Sequence, residues 1–225
     1  MDTINKKKSL FQIGLYMLVV TALFLLCELI NLLAPLFSQI HKGDLNQLIV
    51  VVIKIVLYTT ILISAIYYST KKMKLPLNND KTELSLKRLI LIYVIAILAV
   101  VVISATLGFK VKLAVDMGEN ITGPILVTNI LTFILRIIRM GLICLIIKHA
   151  QLFLETIINK PWATKLPLGG LISMVLMGIP ILFFDGINGL NILLLFYHVL
   201  YGELYLLTNK HYTKTFVVCF FIELL

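Results

Sequence analysis

Apolar stretches of about twenty residues, set apart by short lysine-bearing segments, constrain this chain more than any other feature. A helix rises about 1.5 Å per residue, so about twenty apolar residues match the roughly 30 Å hydrocarbon core of a bilayer. Leu10 to Leu33, Leu48 to Tyr68 and Leu89 to Phe109 each reach that length. The third is rich in β-branched residues and resembles strand sequence, but its length selects helix. Only 14% of the residues are charged, 60% are hydrophobic and the mean hydropathy is +1.02. A soluble domain carries nearer a quarter of its residues as charges, and no segment here is long and polar enough to form one.

The basic residues give the expected topology. Lys6 to Lys8 precede the first stretch and place the N-terminus in the cytoplasm by the positive-inside rule. The first stretch is longer than a signal-peptide h-region and is not followed by small residues, so it is expected to be retained as a helix, and no lipidation motif is seen at the C-terminus. After the second stretch, Thr70 to Arg88 is the most basic loop, again on the predicted cytoplasmic side. Lys110 to Thr122 falls outside, and its Asn120-Ile-Thr122 sequon matters only in a eukaryotic secretory pathway. A fourth stretch, Gly123 to Ile147, is interrupted by Arg136 and Arg139, three apart on one helix face and expected to look into the bundle or at acidic partners. Lys148, His149 and Gln151 then break the apolarity. Two readings of Ala150 to Asn159 stay open, a short re-entrant helix or a continuation of the fourth span. Further stretches follow at Leu166 to Phe184, containing Gly169, Gly170, Gly178 and Pro180, and at Leu190 to Leu207. A basic loop, Thr208 to Lys214, precedes Thr215 to Leu225, which is too short to cross a bilayer alone.

The expected fold is therefore all-α: one integral membrane domain over 1–225, a polytopic bundle of about six to seven helices in the cell membrane. Residues 1–147 form its N-terminal transmembrane part. The net charge of +9 lies in clusters between apolar runs, which points to anionic headgroups and not to nucleic acid. Cys27, Cys144 and Cys219 lie in apolar runs without CxxC spacing, so neither a disulfide framework nor a zinc-thiolate site is expected.

The chemistry of such a chain has to reside in its intramembrane polar residues, which are costly in lipid and mark functional sites. In Leu152 to Lys160 an acid, a hydroxyl and a base stand together, and Lys160 is the expected partner of Glu155. Thr156 and Lys160 are four apart and share a helical face. The competing reading places Glu155 at a solvated interfacial helix end. Glu28 and Lys54 fall at matching depth in neighbouring spans; either they pair, or Lys54 snorkels to the interface. His198 and Glu203 lie about 140° apart around their helix and do not form a face. Cys219 and Glu223 are four apart and can share one, and Asp185 falls in a turn-like Asp-Gly-Ile-Asn-Gly cluster. His-Glu-x-x-His and its inverse are absent, as are a rhomboid-like Gly-x-Ser, the presenilin-like Tyr-Asp and Gly-x-Gly-Asp pairs and ATP-binding glycine motifs. No cofactor is evident.

The order of the polar pieces carries a resemblance. Glu155-Thr-Ile-Ile-Asn-Lys160 resembles a weakened Glu-Glu-x-x-x-Arg motif of the CPBP family, the CAAX protease and bacteriocin-processing (Abi) membrane proteins. Ile181-Leu-Phe-Phe-Asp185 stands where that family has Phe-x-x-x-His. Gly202-Glu-Leu-Tyr-Leu-Leu-Thr-Asn209 resembles its Gly-x-Leu-Tyr-x-x-Thr-(Gly/Asn) helix end. Cys219-Phe-Phe-Ile-Glu223 falls about one residue from the register of its His-x-x-x-Asn helix. The resemblance covers roughly Gln151 to Leu225 and makes 148–225 the CPBP-like motif region. It implies glutamate-dependent intramembrane proteolysis, with Glu155 as the base that activates water, and with Thr156, Lys160, Asp185, Cys219 and Glu223 at the other motif positions. In the family, histidines and asparagine polarise the scissile carbonyl or hold a metal. Here Thr156 replaces the second glutamate, Lys160 the arginine, Asp185 and Cys219 the histidines, and Glu223 the asparagine. Ionised Asp185 and Glu223 would repel an oxyanion, which needs donors. The leading expectation is thus a catalytically degenerate CPBP-like bacterial membrane protein that binds a peptide or membrane-protein partner, as in bacteriocin immunity or peptide maturation. The alternatives are an active endopeptidase, with His198 among the groups that could serve it, and a small transporter using Glu28, Lys54, Arg136 and Arg139 as pathway charges.

Overall fold

The apolar periodicity resolves into helices packed around one central member. The computed structural model describes residues 3–38, 44–78, 84–107, 123–185, 187 and 189–224. Among them α1 spans Thr3–Ser38, α2 Asp44–Tyr67, α3 Leu86–Thr106 and α4 Gly123–Ile158. After a 3-10 turn at Pro161–Thr164 come α5 (Leu168–Ser173), α6 (Ile179–Asp185), α7 (Gly189–Leu207) and α8 (Tyr212–Leu224). No strand occurs among the described residues. Among the described residues, four segments are long and apolar enough to cross a membrane: Leu10–Ile30, Gln47–Lys72, Leu86–Thr106 and Leu126–Ile158. This is a helical membrane protein.

The fourth span settles the question left at Ala150: α4 runs unbroken to Ile158. From Met140 to Gln151 it is buried nearly all round, as befits a helix enclosed by others. It packs on α1, α2, α5, α7 and α8. Its polar residues do not break it because each finds a partner. Lys148 Nζ donates to the Pro76 carbonyl. His149 donates from Nδ1 to Leu145 O (2.7 Å), which leaves Nε2 to accept the Ser69 hydroxyl at 2.8 Å. Ser69 lies in a π-helical turn, Tyr68–Lys72, that extends α2.

Two apolar cores flank α4. Phe24, Tyr58, Leu142 and Leu145 form one with α1 and α2. Ile103, Cys144, Tyr201, Leu204 and Cys219 form the other with α3, α7 and α8. A second π turn, Met174–Gly178, joins α5 to α6, and the Ile179 N–H reaches Met174 O across it. That widening comes just before Pro180, which has no N–H to continue the ladder. Gly170 and Gly202 allow α5 and α7 to approach at backbone distance. A Cβ on Gly170 would stand 2.5 Å from the His198 carbonyl, and one on Gly202 2.7 Å from the Gly170 Cα. Small residues serve membrane helix contacts in this way.

Candidate functional site

Polar groups assemble in two places, at different depths. The first begins with Glu28 of α1, whose side chain is 2% exposed. Lys54 of α2 donates to its Oε2 at 2.9 Å, and the Tyr58 hydroxyl donates to Oε1 at 2.5 Å. Arg139 of α4 reaches Oε1 at 3.0 Å and lies over the Phe24 ring, 5.7 Å from its centroid. Lys54 is buried. It therefore pairs and does not snorkel, and Arg139 meets an acid as the spacing implied. Three helices are thereby tied through one carboxylate, with each charge answered as a low-dielectric site requires.

Arg139 also faces a partly open cavity of about 320 Å³ lined by α4, α6, α7 and α8. Its polar lining is Arg136, Arg139, Asn191, His198, Tyr201 and Glu223. The Tyr201 hydroxyl donates to Glu223 Oε1 at 2.9 Å, and His198 Nδ1 shares a 2.9 Å hydrogen bond with the Ser173 hydroxyl. Two guanidinium groups, an imidazole, a phenol and a carboxylate thus line one space, offering donors on one wall and an acceptor on another.

The second assembly is at the opposite, basic end. Glu155 receives Lys210 Nζ on both carboxylate oxygens at 2.7 Å. Gln151, one turn earlier, donates to Glu155 Oε1 at 2.6 Å. Gln151 is itself a clamp on the segment that follows. Its Nε2 contacts Ala163 O and Leu166 O at 3.1 Å each, and its Oε1 accepts the Gly169 N–H at 2.7 Å.

Lys160 is not the partner of Glu155. The helix ends at Ile158, Asn159 turns left-handed (φ 48°), and Lys160 leaves the helical face and is exposed. Thr156 turns inward on its own helix, donating to Leu152 O at 2.7 Å. Lys210 arrives instead because Asn209 and Lys210 are both left-handed (φ 58° and 60°), which ends α7 and returns the chain toward α4.

No family model matches the chain, and neither curated proteins nor solved structures return a match.

The remaining motif residues scatter. Cys219 is fully buried beside Cys144 in the second core. Glu223 lines the cavity, one helical turn further along α8. Asp185 closes α6, and its side chain lies outside the described residues, as does the Asn120 sequon. Glu203 is half-buried on α7. Glu155 is sixteen residues past Arg139 on an unbroken helix, about 24 Å of rise, and does not line the cavity. Among the described residues no three His, Cys, Asp or Glu side chains converge as a metal ion would require. Sequence reasoning passed over Gln151, Lys210, Tyr58 and Tyr201. For Gln151 a signal existed, since it stands four before Glu155 on one face. For Lys210 there was none, because its contact spans 55 positions.

Proposed function

We propose that this chain is a polytopic, CPBP-like protein of the bacterial cell membrane that binds a peptide or membrane-protein partner and does not cleave it. Four long spans are supplemented, in this reading, by the α5–α6 unit and α7. At about 1.5 Å per residue their 18 and 19 residues (Leu168–Asp185 and Gly189–Leu207) can cross the hydrocarbon core. Lys71, Lys72, Lys74, Arg88, Lys160, Lys165, Lys210 and Lys214 then share one side, which the positive-inside rule makes cytoplasmic together with the N-terminus.

The observation that carries the reading is the separation of Glu155 from the cavity. A base must reach the water it activates within about 3 Å, directly or through one bridging water. Glu155 is instead engaged by Lys210 and Gln151 at the basic end, while Arg136, Arg139, His198, Tyr201 and Glu223 line the cavity. A cavity with donors and an acceptor, and without the glutamate that the motif makes the base, suits recognition of a polar group in a partner segment, in the manner of bacteriocin immunity or peptide maturation. The test uses the full chain in proteoliposomes, offered leader-bearing and prenylated peptides with products read by mass spectrometry. No cleavage that depends on Glu155 is expected. Cleavage lost in Glu155→Gln would restore the endopeptidase.

One observation favours a second reading, a small transporter: Arg139 joins the Glu28–Lys54 ion cluster to the cavity. Solute flux into proteoliposomes that falls in both Glu28→Gln and Arg139→Gln would favour it over partner binding.

A further inference from the structure

His149 and His198 are both buried, yet they are satisfied to different degrees. Both ring nitrogens of His149 are bonded, one to Leu145 O and the other to Ser69. His198 is bonded through Nδ1 alone, to the Ser173 hydroxyl at 2.9 Å, although only 6% of the residue is exposed. That hydroxyl has one proton and two acceptors in reach, Nδ1 and the Met177 sulfur at 3.9 Å. A thioether is the weaker acceptor, so the proton goes to Nδ1 and the ring's own proton sits on Nε2. The Cδ2–Nε2 edge faces Gly178, five residues past Ser173 across the π turn, and both His198 and Gly178 line the cavity. A Cβ on Gly178 would stand 3.3 Å from Nε2. The unit that fixes the ring through Ser173 thus leaves its other edge uncovered at Gly178.

We propose that the Nε2–H of His198 is the recognition atom of this cavity and that it takes a neutral carbonyl oxygen, an amide of a partner peptide. The inference rests on the reading of the cavity as a recognition site and names the group recognised there. The charged lining does not make the selection. Arg136, Arg139, Asn191 and Glu223 already have partners in the protein, and the Tyr201 hydroxyl is given to Glu223. What remains is an uncharged donor in a largely buried setting, where an unmet donor is costly. A neutral acceptor satisfies it without bringing a new charge into the site. Size agrees as well. At about 320 Å³ the cavity lies at the small end of ligand pockets, roughly 300–1,000 Å³. Ile143, Ile181, Leu182 and Leu195 supply apolar walls for one side chain beside the carbonyl.

The full chain in nanodiscs, dialysed to equilibrium against radiolabelled N-methylisovaleramide with empty nanodiscs as the baseline, tests this. The amide should bind, and isovalerate, its charged counterpart, should bind about tenfold more weakly or worse. His198→Phe keeps a ring in place but removes the donor, and should weaken the amide about tenfold. Gly178→Ala sets a methyl before Nε2 and should have a similar effect, once Leu195 turns away from a Cβ it would meet at 2.7 Å. Should one variant fail to fold, as judged by circular dichroism, the other decides. Should both fail, the nitrogen-15 resonance of His198 Nε2 in the wild type decides, since it should move on adding the amide. Nanodiscs of ether-linked lipid should give the same affinity; a clear rise there would assign the site to a lipid ester carbonyl and overturn the peptide. Equal binding of amide and carboxylate, or binding untouched by His198→Phe, overturns the assignment to Nε2 and leaves the cavity a recognition site. No binding of either compound leaves only water before Nε2 and overturns both. Hydrolysis of the amide would instead overturn the non-cleaving reading while keeping Nε2 as the atom that holds it.

Discussion

The carboxylates Glu28 and Glu155 are both met by cations, yet they are built differently, and the contrast indicates what each is for. Glu28 is 2% exposed and joins three helices through Lys54, Tyr58 and Arg139. Glu155 is 15% exposed and is met by a lysine whose side chain is 28% exposed. In the first cluster Glu28 and Lys54 are dehydrated and depend on one another, while Arg139, with a 27% exposed side chain, reaches Glu28 from the cavity. At the second, water can replace the lysine, and the structural weight falls on Gln151, which ties α4 to the start of α5 through backbone groups. Burial of the carboxylate, more than the kind of pair, sets what each contact is worth.

The largest effect should follow from Glu28→Gln. It leaves Lys54 and the buried part of Arg139 without their carboxylate, and breaking a buried ion cluster in this way costs about 3–5 kcal/mol. Unfolding in detergent, followed by the tyrosine near-ultraviolet signal, should register that loss. Adding Lys54→Met should recover part of it, because the orphaned charge goes too. A loss no larger than that of a surface substitution would erase the contrast between the two regions.

Next comes Gln151→Leu. It strips a buried partner from the Gly169 N–H and from two carbonyls, a loss of about 2–3 kcal/mol. Gln151→Glu sharpens the point. It can still accept the Gly169 N–H, but it places a second carboxylate beside Glu155 and cannot donate to the carbonyls. It should be no more stable than the leucine variant in the same unfolding measurement.

These two sites also mark how far the sequence could be read. Span length and basic loops made the helices legible, because the bilayer imposes both. Glu28 and Lys54 could be matched since neighbouring antiparallel spans put them at equal depth. Arg139 was legible only as a charge needing an acid, because which acid depends on how α1, α2 and α4 are rotated about their axes. Lys148, His149 and Gln151 interrupt the apolarity and left a re-entrant helix and a continued span both open; the helix continues, since each has a partner that only packing supplies. The expected Glu155–Lys160 pair assumed that the helix continues to Lys160, whereas Asn159 turns out of it. The cavity at Arg136, Arg139, His198 and Glu223 draws on α4, α7 and α8, and His198 and Glu223 could not be joined before the crossing of α7 and α8 was known.

The smallest effect distinguishes Lys210 from Lys160. Both are lysines near Glu155, one 55 positions away in sequence and bonded to it, the other five away and exposed. A double-mutant cycle between Glu155→Gln and Lys210→Met should give a coupling of about 0.5–1 kcal/mol, as a partly exposed pair does, and raised salt should diminish it. The same cycle with Lys160→Met should give none. Lys210→Gly adds a further check, since glycine removes the charge but relieves the left-handed backbone at φ 60°. It should be destabilised less than Lys210→Met. If Lys160 instead carried the coupling, the helix would extend past Asn159, Glu155 would turn with it, and the basic-end cluster would have to be rebuilt around the motif face.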